Sequence, residues 1–175
     1  MQGVDGMRGE LAMEDARTAF AELLERHRGI VLKVAHAYAR DPADREDLVQ
    51  EIASQLWHAY SAYDPARRFT TWMYRIALNV AISHLRERQR RQERSLALGE
   101  AMLDLPDDTT ADPETEQQLR LLRAFIERQP LLDRALLLLY LDERPQREIA
   151  EVLGISETNV STKIGRLKQR IRDEL

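Results

Sequence analysis

Residues 144–172, RPQREIAEVLGISETNVSTKIGRLKQRIR, decide how the rest of the chain is read. Pro145 is tolerated in the first turn of a helix and no deeper, so it predicts a helix over Gln146–Leu153. Ile149, Ala150, Val152 and Leu153 form the apolar face of that helix. Gly154 supplies a C-terminal stop, Ile155 plugs the turn, and Ser156 is placed to cap a second helix. In that second helix Val160, Ile164, Leu167 and Ile171 recur at the spacing of one buried stripe. Thr158, Thr162, Gly165 and Gln169 fall on the opposite face, flanked by Ser161 and Arg166, with Lys163, Lys168, Arg170 and Arg172 around the edges. A short helix, a glycine turn and a helix with a polar, basic outer face are the parts of a helix-turn-helix DNA reader. An ordinary helical hairpin has the same parts.

Upstream of this motif, Leu131–Leu141 is apolar almost all round and predicts the buried centre of a small domain. A further helix is expected from about Glu116 to Gln129, stopped by Pro130. Residues 95–116 hold Pro106, Pro113 and seven carboxylates with no Lys or Arg, the composition of a flexible acidic linker. Fully extended, they reach at most roughly 70 Å, and a DNA turn is about 34–36 Å, so domains at either end could read sites about two turns apart.

The N-terminal part predicts another set of helices. Residues 1–13 contain three glycines and no periodicity, and are expected to be a loose tail in which Met7 and Met13 are alternative starts. From Glu14 to about Arg40 the apolar residues keep helical spacing, with Gly29 a place for a bend. Asp41-Pro42 ends that run and begins a helix whose apolar stripe is Leu48, Val49, Ile52, Ala53, Leu56, Trp57 and Tyr60. Its first two turns carry Asp44, Glu46, Asp47, Gln50 and Glu51, and carboxylates there suit the helix dipole.

After a turn at Tyr63–Ala66, Thr70 or Thr71 is placed to cap a helix running to about Arg91. Met73, Ala77, Val80, Ala81 and His84 share its inner face. Arg75, Asn79, Ile82, Arg86 and Arg90 form its outer stripe, with Ser83 alongside. Any surface helix has a polar outer face, but five arginines in the nine residues Arg86–Arg94 suit a helix that reads bases and grips phosphates.

Composition bounds the rest. The chain has 175 residues, 32% charged and 43% hydrophobic, with few Gly and Pro, which predicts an all-α protein. The absence of cysteine excludes disulfides and thiolate metal sites. The longest apolar run, Ala135–Leu141, is too short to cross a bilayer, and residues 1–13 lack the apolar core of a signal peptide, so a cytoplasmic location is expected. A net charge of -4 divides into +1 over residues 1–94, -7 over 95–116 and +2 over 117–175, so the acidity lies in the linker. The four histidines have no metal-ligand spacing, and there is no glycine-rich phosphate loop or serine elbow. No cofactor, metal, catalytic residue or small-molecule substrate is expected.

Together, DREDLVQEIASQLW (44–57), FTTWMYRIALNVAISHLR (69–86) and EIAEVLGISETNVSTKIGRL (148–167) resemble the extracytoplasmic-function sigma factors of bacterial RNA polymerase. The likeness runs from about Ala16 to Arg172, with the three motifs in order. It implies two small helical domains, residues 14–94 and 116–175, joined by the acidic linker 95–115, the second domain being the helix-turn-helix. The first would bind core RNA polymerase through Asp44, Asp47, Gln50 and Glu51. It would recognise the -10 promoter element by capturing an unstacked base, with Asn79, Ser83 and Arg86 as readers, Arg75 and Arg90 on phosphates, and Phe69 and its preceding loop contributing.

By the same resemblance, the second domain would read the -35 element through Thr158, Asn159, Ser161 and Thr162, with Lys163 and Arg166 on the backbone. The linker would thread the polymerase cleft, and an anti-sigma factor is a further partner the resemblance admits. Many such proteins carry Asp where Ser83 stands, and Gly-Thr-Val-Lys where this chain has Thr158-Asn159-Val160-Ser161. Both departures fall on expected DNA-facing surfaces and imply a different promoter preference. Gly165 costs about 1 kcal/mol relative to Ala in a helix; it either admits a close DNA backbone or is a harmless surface glycine.

Overall fold

The computed structural model describes the backbone of residues 3–96 and 113–174, which form eight α-helices and no strand among the described residues. They are α1 (Gly3–Arg26), α2 (Arg28–Tyr38), α3 (Pro42–Tyr60), α4 (Phe69–Leu96), α5 (Pro113–Glu127), α6 (Leu131–Leu141), α7 (Gln146–Leu153) and α8 (Glu157–Glu174). Most of the expected linker lies outside the described residues. The expected loose tail is corrected: helical backbone begins at Gly3, and Met7, Arg8, Glu10, Leu11 and Ala12 are good helix formers that offset the three glycines.

Helices α2, α3 and α4 pack on one another and α1 lies across α2 and α3. Val34, Ala35, Leu48, Ile52, Leu56, Met73, Tyr74, Ala77 and Ala81 are sealed from solvent where the three meet. The first long helical run breaks at His27 rather than at Gly29. His27 leaves helical geometry at φ -113°, ψ 14°, and its ring packs 5.5 Å from that of Phe69. Asp41 caps α3 by accepting the Asp44 amide at 3.2 Å, with Pro42 in the first turn. Helix α4 continues to Leu96, beyond the expected end near Arg91; Arg91 pairs with Glu87 at 3.2 Å on its exposed face.

In the second group α6, α7 and α8 pack around Leu136, Leu139, Ile149 and Val160, and Phe125 of α5 closes the core. The turn follows its sequence signals. Gly154 is left-handed at φ 68°, and the Ser156 hydroxyl accepts the Asn159 amide at 3.2 Å. Val160, Ile164 and Leu167 face inward. The two groups do not stand apart. Helix α7 packs directly on α4, and the buried residues of both halves form one continuous core.

Candidate polymerase and nucleic-acid interfaces

Burial of Met73, Ala77 and Ala81 between α2 and α3 fixes which way α4 faces. Arg75, Asn79, Ser83, Arg86 and Arg90 are accordingly exposed along its outer side. The stripe thus presents hydrogen-bonding and cationic side chains over about four turns of helix. Ser83, Arg86 and Arg90 join His84 and Glu51 in lining an open cleft of about 450 Å³. Neither Thr70 nor Thr71 caps the helix, which already begins at Phe69; the Thr71 hydroxyl instead donates to Glu148 at 3.1 Å.

The acidic start of α3 divides into two sides. Asp47 and Gln50 are exposed. Asp44 is turned toward α4, where it accepts from His84 Nε2 at 2.8 Å and from Arg88 at 2.6 Å. Glu51 is half exposed and meets His84 Nδ1 at 3.1 Å. A charged imidazolium donates from both ring nitrogens, so the protonated form of His84 satisfies both carboxylates at once. Burial alone would lower the His84 pKa, but the two carboxylates outweigh it and raise it. The sequence had marked Asp44 and Glu51 but not their partners. The available signal was a His and an Arg four residues apart on α4, facing two carboxylates seven residues apart on α3.

At the start of α4 the aromatic side chains run together. Phe69 packs at 5.3–5.5 Å from Trp72, Tyr63 and His27, and the chain of rings continues through Tyr63, Tyr60 and Trp57 to Phe20. The loop between them exposes Arg67 and Arg68. Cations beside half-buried rings provide the chemistry that stacks an unpaired base and holds its phosphate. Tyr63 and Trp72 belong to this cluster and were not singled out from sequence.

On α8 the inward stripe leaves Thr158, Asn159, Ser161, Thr162 and Arg166 exposed. Lys163 differs, being half-buried and paired with Asp133 of α6 at 2.8 Å. Arg170 stays exposed while donating to Gln129 at 2.9 Å and lying 5.5 Å over the Phe125 ring. Among the described residues no group of His, Asp or Glu is placed to hold a metal ion, and no helix is long and apolar enough to cross a membrane.

Comparison with known proteins places these features in a family context. The model of sigma-70 region 2 matches residues 23–91, and that of sigma-70 region 4 matches residues 119–171. The RNA polymerase sigma factor CnrH of Cupriavidus metallidurans is 29% identical over 161 residues, covering 87% of this chain and 84% of the relative. The ECF RNA polymerase sigma factor SigW of Bacillus subtilis is 24% identical over 168 residues, covering 90% and 89%. In fold, the chain resembles CnrH in complex with the cytosolic domain of CnrY at a TM-score of 0.66 and 23% identity, over 93% of each chain. It also resembles RpoE of Bartonella quintana in complex with the anti-sigma factor NepR, at a TM-score of 0.71 and 15% identity, over 89% of this chain and 95% of that one.

Proposed function

The chain belongs to the extracytoplasmic-function sigma factors of bacterial RNA polymerase, and we propose how its residues divide the work of that family. It binds core polymerase and directs promoter-specific initiation, the N-terminal helices serving the -10 element and the helix-turn-helix the -35 element. The supporting observation is that α4 and α8 each sink one stripe into a core and leave outward the polar stripe the function needs.

On α3 the exposed Asp47 and Gln50, with the half-exposed Glu51, form the face offered to polymerase. Asp44 contributes by fixing this face to α4 through His84 and Arg88. On α4, Asn79, Ser83 and Arg86 read bases of the opened strand, Arg75 and Arg90 hold phosphates, and Phe69 supports the captured base from within the aromatic cluster. On α8, Thr158, Asn159, Ser161 and Thr162 read the major groove and Arg166 contacts phosphate. Lys163 reaches DNA only by leaving Asp133. The domains run over 14–94 and 116–175, with 95–115 as linker. The protein acts in the cytoplasm without catalysing a reaction of its own, and an inhibitory protein of the kind bound to RpoE is a fitting partner.

The test is complex formation with core polymerase on gel filtration. Asp47→Arg should weaken binding by about tenfold or more while leaving the helical circular dichroism unchanged, because it places a like charge against a cationic partner surface. Unchanged affinity would remove α3 from the polymerase interface.

A further inference from the structure

Helix α8 carries five Lys and Arg side chains, and four of them are engaged within the helix-turn-helix half itself. Lys163 pairs at 2.8 Å with Asp133, which stands in the first turn of α6. Lys168 lies 5.6 Å over the Tyr140 ring, Arg170 donates to Gln129 at 2.9 Å, and Arg172 donates to Gln169 at 3.1 Å. Arg166 is exposed and has no such partner among the described residues. A helix that is basic in composition therefore offers little free positive charge on its reading face.

The Lys163 pair differs from the others in where it stands. Lys163 is one helical turn after Asn159 and one before Arg166, so it neighbours both on the helix surface. Its side chain is 28% exposed and that of Asp133 18%, which puts the ammonium at the edge of the outward face but turned onto α6. The stem of a lysine is long and flexible, and the same side chain has the reach to swing out to a phosphate oxygen. That swing would leave Asp133 charged, half-buried and unpaired beside a polyanion. A carboxylate in the first turn of α6 also suits the helix dipole, but the dipole needs no partner 30 residues away.

We propose that Asp133 is a positioning residue that withholds Lys163 from the DNA backbone, leaving α8 to hold the -35 element through Arg166 and the neutral side chains Thr158, Asn159, Ser161 and Thr162. This rests on the reading of α8 as the major-groove helix. Phosphate contacts add affinity for every sequence alike, whereas contacts to base edges add it only for the right one. By keeping one cation out of the first set, Asp133 lowers the sequence-independent share of binding and leaves the sequence-dependent share untouched.

The chain contains only three lysines, Lys33, Lys163 and Lys168, so each amine can be followed separately by mass spectrometry after brief acetylation of the full chain. In the free protein Lys163 should react more slowly than the exposed Lys168, and Asp133→Asn should bring its rate up to that of Lys168. Unaltered rates at Lys33 and Lys168 report that the variant is folded. A mixed-sequence duplex of about three helical turns should then protect Lys163 in the variant and not in the native chain.

A second arm measures affinity for the same duplex by fluorescence anisotropy between about 50 and 200 mM salt. Asp133→Asn should bind about tenfold tighter at the low end, and its plot of log affinity against log salt should be steeper by about 0.9, the increment of one added phosphate contact. Asp133→Asn combined with Lys163→Met should lose both gains. Gains that persist in the double variant would mean that Asp133 merely repels DNA, and would overturn the proposal. So would an unchanged slope in Asp133→Asn, or equal acetylation of Lys163 and Lys168 in the native chain. Arg166→Ala tests the underlying reading separately: unchanged duplex affinity would remove α8 as the DNA-facing helix, whereas weakened binding there beside a silent Asp133→Asn would remove the role of Asp133 alone.

Discussion

At His84 one side chain joins α3 to α4, and its charge depends on pH. Its folded pKa is raised, so the contribution it makes is fully present below the unfolded value of about 6.5 and is lost as pH rises through the folded pKa. Replacing His84 by Gln should cost about 1–2 kcal/mol at acidic pH, as expected for charge-assisted hydrogen bonds, and progressively less above neutrality. Urea unfolding of both proteins from pH 5.5 to 8.5 measures the difference, and a pH-independent gap would mean that His84 acts by packing alone. Gly165 offers a second test. A methyl group built there meets nothing within 4 Å, so Gly165→Ala should stabilise the free protein by about 1 kcal/mol in thermal unfolding. If a DNA backbone passes close to that point, the same variant should bind the -35 element more weakly; equal binding would make it a simple surface glycine.

At the scale of the helix, legibility followed periodicity. The stripe Val160, Ile164, Leu167 and the caps at Gly154 and Ser156 could be read from sequence, because helix geometry maps local spacing onto one face. Asn79, Ser83, Thr158 and Thr162 were placed outward for the same reason. Lys163 and Asp44 were not resolved: each lies at the margin of a polar face, and its inward turn depends on Asp133 or His84, 30 and 40 residues away. No spacing rule carries that information. Local features remain strong enough to test singly. Ser156→Ala removes the cap of α8 and should lower stability by about 1 kcal/mol, read as a shift in the urea midpoint with an unchanged slope.

For the molecule as a whole, two domains were legible and their mutual packing was not. Thr71 and Glu148 are 77 residues apart, and a threonine and a glutamate on separate helices give no sign that they meet. The join has a thermodynamic signature. Since one continuous core spans both halves, Leu136→Ala in α6 should cost about 2–5 kcal/mol of unfolding free energy and lower the thermal midpoint of the N-terminal helices together with its own. Two independent transitions in the wild-type chain would show that the halves are uncoupled. Acid should loosen the join. Burial opposes ionisation of Asp142, but hydrogen bonds from Lys33, Tyr74 and Arg144 hold its pKa below the usual carboxylate value. The stabilisation it gives is present above about pH 4 and disappears as pH falls through that lowered pKa.

The run of rings from Phe20 to Trp72 has an optical meaning as well as a structural one. Both tryptophans of the chain, Trp57 and Trp72, lie within it, linked through Tyr60 and Tyr63. Nearly all of the ultraviolet emission of the protein therefore originates beside the loop that we propose faces the opened strand. An unpaired base stacking there would quench that emission, whereas duplex bound at α8 would leave it unchanged. On that proposal the two tryptophans serve as an intrinsic, unlabelled reporter of the moment at which DNA strands separate.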